Sequence, residues 1–203
     1  MPLTLLVALD LAGVFVFALS GAALAVEKRL DLFGVLVLAV VTALGGGVLR
    51  DVLLGALPPT ALSDDRYLPV ALAAGLLAFT GARRIDRVAG AVRLFDAAGL
   101  GLFVATGTEK ALHLGLGAVA AVALGCLTGI GGGILRDVLV GVVPVVLRRE
   151  LYAVPAALGA TVVVIGDAAS LNAAGTAAVA AGVVFAVRMV GVWRDWHFPV
   201  ARG

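Results

Sequence analysis

Cysteine and histidine are almost absent from this chain, and charge is scarce. Among its 203 residues there are one cysteine, Cys126, and two histidines, and charged residues make up 14%. A single cysteine excludes a disulfide within the chain, and a zinc or iron–sulfur site is not expected without a cluster of cysteine and histidine. We expect Cys126 to be a small buried hydrophobic residue. No cofactor and no resident metal are therefore expected.

The shortage of charge also argues against a soluble protein, because soluble domains carry about 25% charged residues. Hydrophobic residues make up 62% of the chain, and its mean hydropathy is +1.14. The net charge of +2 does not indicate a nucleic-acid partner, because the basic residues form no stripe with interleaved aromatic residues. No nucleophile, base and orienting group stand together as an enzyme requires. We expect a membrane protein without enzymatic activity.

Seven apolar runs lie between the charge clusters, and about 20 apolar residues are enough to cross the hydrocarbon core of a bilayer. The sequence therefore predicts one all-α transmembrane domain over residues 1–203 with seven transmembrane helices. The third and sixth runs are short, and their flanking residues Tyr67 and Tyr152 suit the membrane interface. The predicted spans are residues 5–25, 32–57, 68–82, 92–109, 115–142, 151–166 and 171–192.

Lysine and arginine are distributed unevenly between the two sides that these spans define. Only Arg66 and Lys110 fall on one side, while Arg50 and Arg136 fall inside spans. Because cytoplasmic loops carry an excess of basic residues, the N-terminus is predicted to lie outside and the C-terminus in the cytoplasm. The residues on the predicted cytoplasmic side are Lys28, Arg29, Arg83, Arg84, Arg87, Arg93, Arg148, Arg149, Arg188, Arg194 and Arg202.

The two halves of the chain repeat at an offset of 86 residues. The longest match sets residues 45–55 against residues 131–141, and both read Gly-Gly-Gly-x-Leu-Arg-Asp-Val-Leu-x-Gly with only hydrophobic replacements. Single residues match at the same offset on both sides of this segment, so the repeat is not a chance motif match. These pairs are Asp10 and Asp96, Gly13 and Gly99, Phe17 and Phe103, Pro58 and Pro144, and Pro69 and Pro155.

Each repeat holds three predicted spans, so the second repeat must start on the opposite side of the membrane from the first. This predicts two inverted three-helix repeats, at about residues 5–82 and 91–166. Repeats of this kind often hold polar sites near the bilayer midplane. The seventh helix, at about residues 171–192, has no counterpart and is expected to pack on the outside or to serve assembly.

Three consecutive glycines stand in the second span and again in the fifth. The first triplet is Gly45, Gly46 and Gly47, and the second triplet is Gly131, Gly132 and Gly133. Each glycine in a helix costs about 1 kcal/mol relative to alanine, so a kink or break is expected at both triplets. Irregular backbone at membrane depth survives only where it is buried in protein or lines a wet cavity. The triplets are therefore candidate lining segments, and close helix packing is the alternative.

An arginine and an aspartate follow each triplet, and both pairs lie inside apolar runs. Charges there cost several kcal/mol unless they pair or face water, so by default they mark a pathway. Neighbouring residues point about 100° apart on a helix, so pairing of Arg50 with Asp51, or of Arg136 with Asp137, is not expected. We predict that Arg50 pairs with Asp137 and Arg136 with Asp51, across the axis between the repeats. A purely structural ion-pair network is the alternative.

Other polar residues near the motif are candidate partners. Thr42 and Thr128, also paired at the 86-residue offset, could supply hydroxyl ligands just before the triplets. Asp10 and Asp96 stand near the predicted starts of the first and fourth spans, where they are expected to cap a helix or to be hydrogen-bond partners of a neighbouring helix break. Freed carbonyls favour a cation, whereas a helix N-terminus and an arginine favour an anion, so these residues leave the sign of a permeant ion open. A wet loop is expected to hold Glu109, Lys110 and His113.

Two copies of Gly-Gly-Gly-x-x-Arg-Asp, in a chain of seven spans and two inverted repeats, resemble the prokaryotic trimeric intracellular cation (TRIC) channels. The resemblance covers nearly the whole chain. It implies a homotrimer in the prokaryotic inner membrane, in which each subunit encloses a pore for monovalent cations, chiefly potassium. The kinked second and fifth helices would line that pore with both glycine triplets. The resemblance further implies a polar framework of the pore made of Arg50, Asp51, Arg136 and Asp137.

The same bacterial domain is also described as a glycine transporter domain. A secondary transporter of a small solute such as glycine is therefore the alternative, and it would use inverted repeats for alternating access. A purely structural membrane protein would show neither conductance nor uptake. The expected partners are potassium or sodium ions, membrane lipids and two further copies of the chain, with no nucleic acid.

Overall fold

The computed structural model describes residues 3–81, 88–148 and 152–194, and every regular element in these ranges is a helix. Predictions that concern Arg83, Arg84, Arg87, Arg149 and Arg202 fall outside the described residues. The described helices are α1 (Leu3–Glu27), α2 (Leu32–Leu53), α3 (Thr60–Ser63), α4 (Tyr67–Gly81), α5 (Val88–His113), α6 (Ala118–Leu139), α7 (Val145–Arg148), α8 (Ala153–Ala168) and α9 (Ala173–Trp193).

Five of the helices are long and apolar enough to cross a bilayer: α1, α2, α5, α6 and α9. Helices α4 and α8 are apolar but have 15 and 16 residues, about 22 and 24 Å of helix against a hydrocarbon core of about 30 Å. The chain is therefore an all-helical membrane protein, while helix length alone does not confirm the predicted count of seven spans. Each predicted span corresponds to one of these seven helices within a few residues.

Glycine ends both helices that carry the repeated motif. Gly55 follows α2 with a φ of 66°, and Gly141 follows α6 with a φ of 70°. The next residue donates its amide back to the carbonyl of the motif aspartate, from Ala56 to Asp51 and from Val142 to Asp137. A residue with left-handed backbone at this position is the usual way to close the last helical turn, and glycine adopts it without steric cost.

Helices α1 and α5 cross through a pair of equivalent contacts. The rings of Phe17 and Phe103 meet edge to face with their centroids 5.2 Å apart. Each ring also covers a glycine of the opposite helix, because a Cβ atom on Gly99 would overlap Phe17 and one on Gly13 would lie 3.0 Å from Phe103. All four residues belong to pairs at the 86-residue offset. The repeat in the sequence thus appears as a symmetric contact at the centre of the fold.

The remaining helices pack around this centre in two similar groups. Helix α4 contacts α1 and α2, and α8 contacts α5 and α6. Helix α9, which has no counterpart in the first group, packs against α5 and α8. Its N-terminus is capped by Asn172, whose side-chain oxygen accepts a hydrogen bond of 2.9 Å from the Gly175 amide.

Candidate functional site

The central glycine of each triplet is where α2 and α6 come closest. A Cβ atom on Gly46 would overlap the carbonyl oxygen of Thr128, and one on Gly132 would overlap the carbonyl oxygen of Thr42. Side chains are therefore excluded at both positions by backbone of the opposite helix. This is the close packing that small residues permit between membrane helices.

The same contacts show that α2 and α6 run in opposite directions. Gly45 faces Leu135, whereas Leu49 faces Gly131, so advancing along one helix means going back along the other. Arg50 and Arg136 each stand four residues after the central glycine, about 6 Å along the helix axis. Because the helices are antiparallel, the two arginines lie on opposite sides of the glycine contact.

Both helices pass through their triplets without interruption, as α2 is continuous over Leu32–Leu53 and α6 over Ala118–Leu139. The predicted helix break is therefore wrong, and the predicted kink is not confirmed. The physical reason lies in the packing: the absence of side chains lets the backbones touch, and this contact offsets the low helix propensity of glycine.

A first polar cluster surrounds Arg50. Its Nε donates to Asp51 Oδ1 at 2.8 Å, and its Nη2 lies 3.5 Å from Asp10 Oδ2. Asp10 also accepts hydrogen bonds from the hydroxyls of Tyr67, at 3.2 Å, and Thr106, at 2.7 Å. All five residues are buried. Paired charges of this kind are the form in which ions are tolerated inside a membrane protein.

A second polar cluster surrounds Arg136 in an equivalent arrangement. Its Nε donates to Asp137 Oδ1 at 2.9 Å, and its Nη1 donates to Asp96 Oδ1 at 2.8 Å. The same Nη1 donates to the Ser20 hydroxyl at 2.6 Å. Ser20 and Thr106 are themselves separated by 86 residues, so each repeat sends one hydroxyl into the cluster of the other.

The predicted pairs Arg50 with Asp137 and Arg136 with Asp51 are therefore wrong. Each arginine bonds the aspartate that follows it and the aspartate of the first helix in its own repeat. The angle of about 100° between neighbouring side chains does not prevent this pairing. The arginine side chain is long, and it is its Nε atom that donates to the neighbouring carboxylate. The repeats are joined by the hydroxyls of Ser20 and Thr106 and by an ion pair of Lys110 with Asp51, and not by crossed arginine–aspartate pairs.

Each motif aspartate also accepts a backbone hydrogen bond outside its ion pair. Asp51 Oδ2 accepts the Thr60 amide at 2.8 Å, and Asp137 Oδ2 accepts the Val145 amide at 3.0 Å. Thr60 and Val145 begin the short helices α3 and α7. The aspartates thus hold the chain segments that follow α2 and α6. Asp51 also accepts a hydrogen bond of 2.8 Å from Lys110 Nζ.

Two further predictions for polar residues are corrected. Of the two roles predicted for Asp10 and Asp96, helix capping is wrong, because both residues lie well inside α1 and α5. Each instead accepts a hydrogen bond from the arginine that follows the glycine triplet of a neighbouring helix, as the alternative role predicts, although that helix is not broken. The α5 helix continues to His113, so Glu109 and Lys110 are helical rather than in a wet loop, and Glu109 is only 5% exposed. The predicted span ended too early because charged residues were read as loop, whereas here they are buried or paired.

Thr42 and Thr128 lie beside the glycine contact and are fully buried. Their hydroxyls donate to carbonyls of their own helices, Thr42 to Leu38 at 2.5 Å and Thr128 to Leu124 at 2.7 Å. Each also packs against a glycine of a neighbouring helix. Ion ligation by these hydroxyls remains a prediction.

Each polar cluster borders a small cavity. The cavity at the first cluster is lined by Gly47, Arg50, Asp10 and Tyr67 among others, and the cavity at the second by Gly133, Arg136 and others. Each has a volume of about 10 Å³, which is room for about one water molecule. The linings share no residue. The glycine contact between α2 and α6 therefore stands between two separate polar cavities.

Sequence reasoning missed several residues of these clusters. Tyr67 and Tyr152 were expected at the membrane interface, but both are 3% exposed and face the clusters. They match at an offset of 85, one residue from the repeat, and that near match was the available clue. Arg188, which the sequence places on the cytoplasmic side without a partner, is buried with its Nη2 3.8 Å from Asp96 Oδ2.

Comparison with known sequences finds one matching family model and several related membrane proteins. Residues 7–83 and 93–168 match a protein-family model described as "Glycine transporter". A UPF0126 membrane protein of Deinococcus radiodurans is 52% identical over 154 residues, which are 75% of this chain and 72% of that protein. UPF0126 membrane protein SCO4104 of Streptomyces coelicolor is 50% identical over 196 residues, covering 96% and 88%. The UPF0126 inner membrane protein YadS of Escherichia coli is 43% identical over 155 residues, covering 76% and 75%.

Solved structures with the same fold are prokaryotic TRIC channels. The TRIC trimeric intracellular cation channel orthologue from Rhodobacter sphaeroides is similar with a TM-score of 0.90 and 37% identity, over 94% of this chain and 99% of that chain. A prokaryotic TRIC channel crystallised in 0.5 M KCl gives a TM-score of 0.89 and 29% identity, over 96% and 99%.

Apolar helices packed around two buried ion clusters define an integral membrane protein, because such charges are stable in lipid only when they are paired inside the bundle. The likeness to TRIC channels extends over nearly the whole chain at identities that indicate common descent. The chain belongs to the family that the glycine transporter model describes, the family of the UPF0126 membrane proteins and the prokaryotic TRIC channels.

Proposed function

We propose that this protein is a channel for monovalent cations, chiefly potassium, with one ion path in each subunit of a homotrimer. The observation that carries the proposal is the pair of polar cavities on opposite sides of the glycine contact, in a chain whose structural relatives are cation channels. An ion path through this fold would pass one cluster, then the contact between α2 and α6, then the other cluster. The protein is not proposed to be an enzyme.

The glycine contact is the proposed closure of this path. Gly47 and Gly133 line the cavities, and a Cβ atom on either would lie beside the guanidinium of the nearby arginine, 3.7 Å from Arg50 Nη2 or 3.8 Å from Arg136 Nη2. Gly46 and Gly132 hold the helices together at the narrowest point. Conduction would require α2 and α6 to separate by enough to join the two cavities. Gly45 and Gly131, which face leucines of the opposite helix, would line the widened path.

The proposal that the permeant ion is a cation is based on the solved relatives and not on the charges of the two polar clusters. In the first cluster, Arg50 and Lys110 face Asp10 and Asp51, so the charges balance. Because its positive and negative charges cancel, the cluster produces little net electric field at a distance. Its carboxylates would still be available to a passing cation. The solved relatives are cation channels, and one was crystallised in potassium chloride.

The proposed arrangement in the membrane follows the charge distribution and the repeat. It has seven spans in two inverted repeats of three helices and a seventh helix, and the antiparallel contact of α2 and α6 supports the inversion. The excess of basic residues on one side supports an outside N-terminus and a cytoplasmic C-terminus. The Escherichia coli relative is described as an inner membrane protein, which supports a prokaryotic inner membrane here. Membrane lipids would contact the apolar outer faces, and the relative from Rhodobacter sphaeroides is described as trimeric.

A secondary transporter of glycine is the second candidate, and the description of the family model favours it. A glycine zwitterion has five non-hydrogen atoms, whereas each cavity holds about one water molecule. A carrier would therefore have to open a larger site in another conformation.

Flux measurements on liposomes separate the two candidates. We expect purified protein to release potassium from loaded liposomes at a rate that rises with the potassium gradient, and to give no saturable uptake of labelled glycine. Protein-free liposomes from the same lipid are the control. Saturable glycine uptake without potassium flux would refute the channel and support the carrier.

A further inference from the structure

Helix α9 places a cation beside the second polar cluster. Arg188 lies in an otherwise apolar helix and is only 3% exposed. Its Cζ atom is 4.4 Å from the centroid of the Tyr152 ring, and its Nη2 is 3.8 Å from Asp96 Oδ2. A guanidinium over an aromatic face is attracted by the ring, more strongly where water is excluded. Arg188 is thus held between a ring and a carboxylate.

The two repeats differ at this point. Asp96 contacts the guanidinium groups of Arg136, at 2.8 Å, and Arg188, at 3.8 Å. In the described part of the chain, the equivalent Asp10 contacts one cation, Arg50, at 3.5 Å, and otherwise accepts hydroxyl groups. The second cation on Asp96 comes from the one long helix that the repeat does not contain. The two clusters therefore differ in where the second cation lies: Lys110 pairs with the motif aspartate Asp51 in the first cluster, whereas Arg188 lies beside Asp96 in the second.

The surroundings of Asp96 have the chemistry of a small cation site. The hydroxyl of the buried Tyr152 borders the cavity of the second cluster. A Cβ atom on Gly133 would lie 3.4 Å from that hydroxyl and 3.5 Å from Asp96 Oδ1, so both oxygens lie close to Gly133. Without Arg188, Asp96 and Asp137 would share the single charge of Arg136 and leave one negative charge uncompensated.

We propose that Arg188 is a tethered cation that takes the place of a monovalent metal ion at Asp96. As a consequence, Arg188 lowers the occupancy of the second cluster by permeant potassium. The part of this inference that concerns conduction rests on the proposed function, whereas the occupancy of Asp96 does not.

Thermal unfolding in detergent tests the occupancy of Asp96 without requiring any current. Wild-type protein and Arg188→Gln are heated in potassium chloride and in N-methyl-D-glucamine chloride at equal ionic strength. Because a ligand that binds only the folded state stabilises it, the Tm of Arg188→Gln should rise by about 3 to 6 °C at a potassium concentration ten times the dissociation constant. The wild-type Tm should not differ between the two salts.

Matched variants identify the cause of such a rise. Arg66→Gln removes one positive charge from an exposed pair with Asp64, and its Tm should not depend on potassium. Arg188→Lys keeps the charge and should behave like wild type. Arg188→Gln combined with Asp96→Asn should lose the potassium effect. A Tm of Arg188→Gln that is as insensitive to potassium as that of Arg66→Gln would overturn the proposal.

A second route applies if Arg188→Gln does not fold. Arg188→Met keeps an unbranched apolar side chain over the Tyr152 ring and removes the charge, so potassium should raise its Tm. An unchanged Tm in Arg188→Met would then overturn the proposal.

Bilayer recording tests the consequence for conduction. Arg188→Gln should conduct potassium better than wild type at low salt and change the rectification, and Arg188→Lys should restore both. A silent wild-type protein would refute the channel, while the potassium dependence of the Tm would still decide whether Arg188 occupies Asp96.

Discussion

Arg136→Ala is expected to cost about 3 to 5 kcal/mol of stability, because it leaves the carboxylates of Asp96 and Asp137 buried with fewer partners. Arg136 is 3% exposed and makes hydrogen bonds to both carboxylates and to Ser20. In a membrane protein a loss of this size should appear as poor recovery of folded protein and a strongly lowered Tm in detergent. Arg50→Ala should behave in the same way at the first cluster.

The control is Arg66→Ala, which breaks an ion pair of similar geometry outside the spans. Arg66 Nη2 lies 2.6 Å from Asp64 Oδ2, its side chain is 62% exposed, and its guanidinium lowers the pKa of Asp64 to about 2. Exposed pairs contribute little, so its Tm should stay close to wild type. Equal losses in Arg136→Ala and Arg66→Ala would mean that the buried clusters do not support the fold.

Gly46→Ala is expected to lower stability by about 1 to 3 kcal/mol, although alanine favours a helix more than glycine does. The new Cβ atom would overlap a backbone carbonyl of α6, and backbone cannot move aside as a flexible side chain can. Gly132→Ala should have a matching effect against α2. Any variant that folds should show altered potassium conductance, because α2 and α6 would be forced apart at the proposed closure.

The neighbouring glycine provides the control for this substitution. A Cβ atom on Gly47 would have Arg50 Nη2, at 3.7 Å, as its nearest contact, which is ordinary packing. Gly47→Ala should therefore be neutral or slightly stabilising in the same thermal assay. If Gly46→Ala and Gly47→Ala were equally stable and equally conducting, close contact at Gly46 would not be the closure.

The sequence alone was enough to locate the helices and the motif. Long apolar runs report directly on membrane spans, and the 86-residue offset gave the equivalence of Phe17 with Phe103 and of Arg50 with Arg136. In the structure these pairs occupy equivalent contacts. Membrane spans and internal repeats can be predicted from the sequence because hydropathy and repetition are properties of the chain itself.

The partners of the buried charges could not be predicted from the sequence, because they depend on which helices pack against each other. The sequence leaves two roles open for Asp10, a helix cap or a partner of a neighbouring helix, and the packing of α1 against α2 brings it to Arg50. Lys110 and Arg188 have no equivalents at the 86-residue offset, so comparison of the repeats could not place them. The glycine triplets were expected to break their helices, since propensity describes an isolated helix and not one packed against another backbone.

Single-channel recording of the purified protein in planar bilayers is the most direct test of the central claim. With a potassium chloride gradient across the bilayer, we predict discrete openings whose reversal potential lies near the equilibrium potential of potassium, with smaller currents when sodium replaces potassium. A reversal potential near that of chloride would contradict a cation path. A silent bilayer, with glycine uptake into liposomes from the same preparation, would contradict a channel altogether.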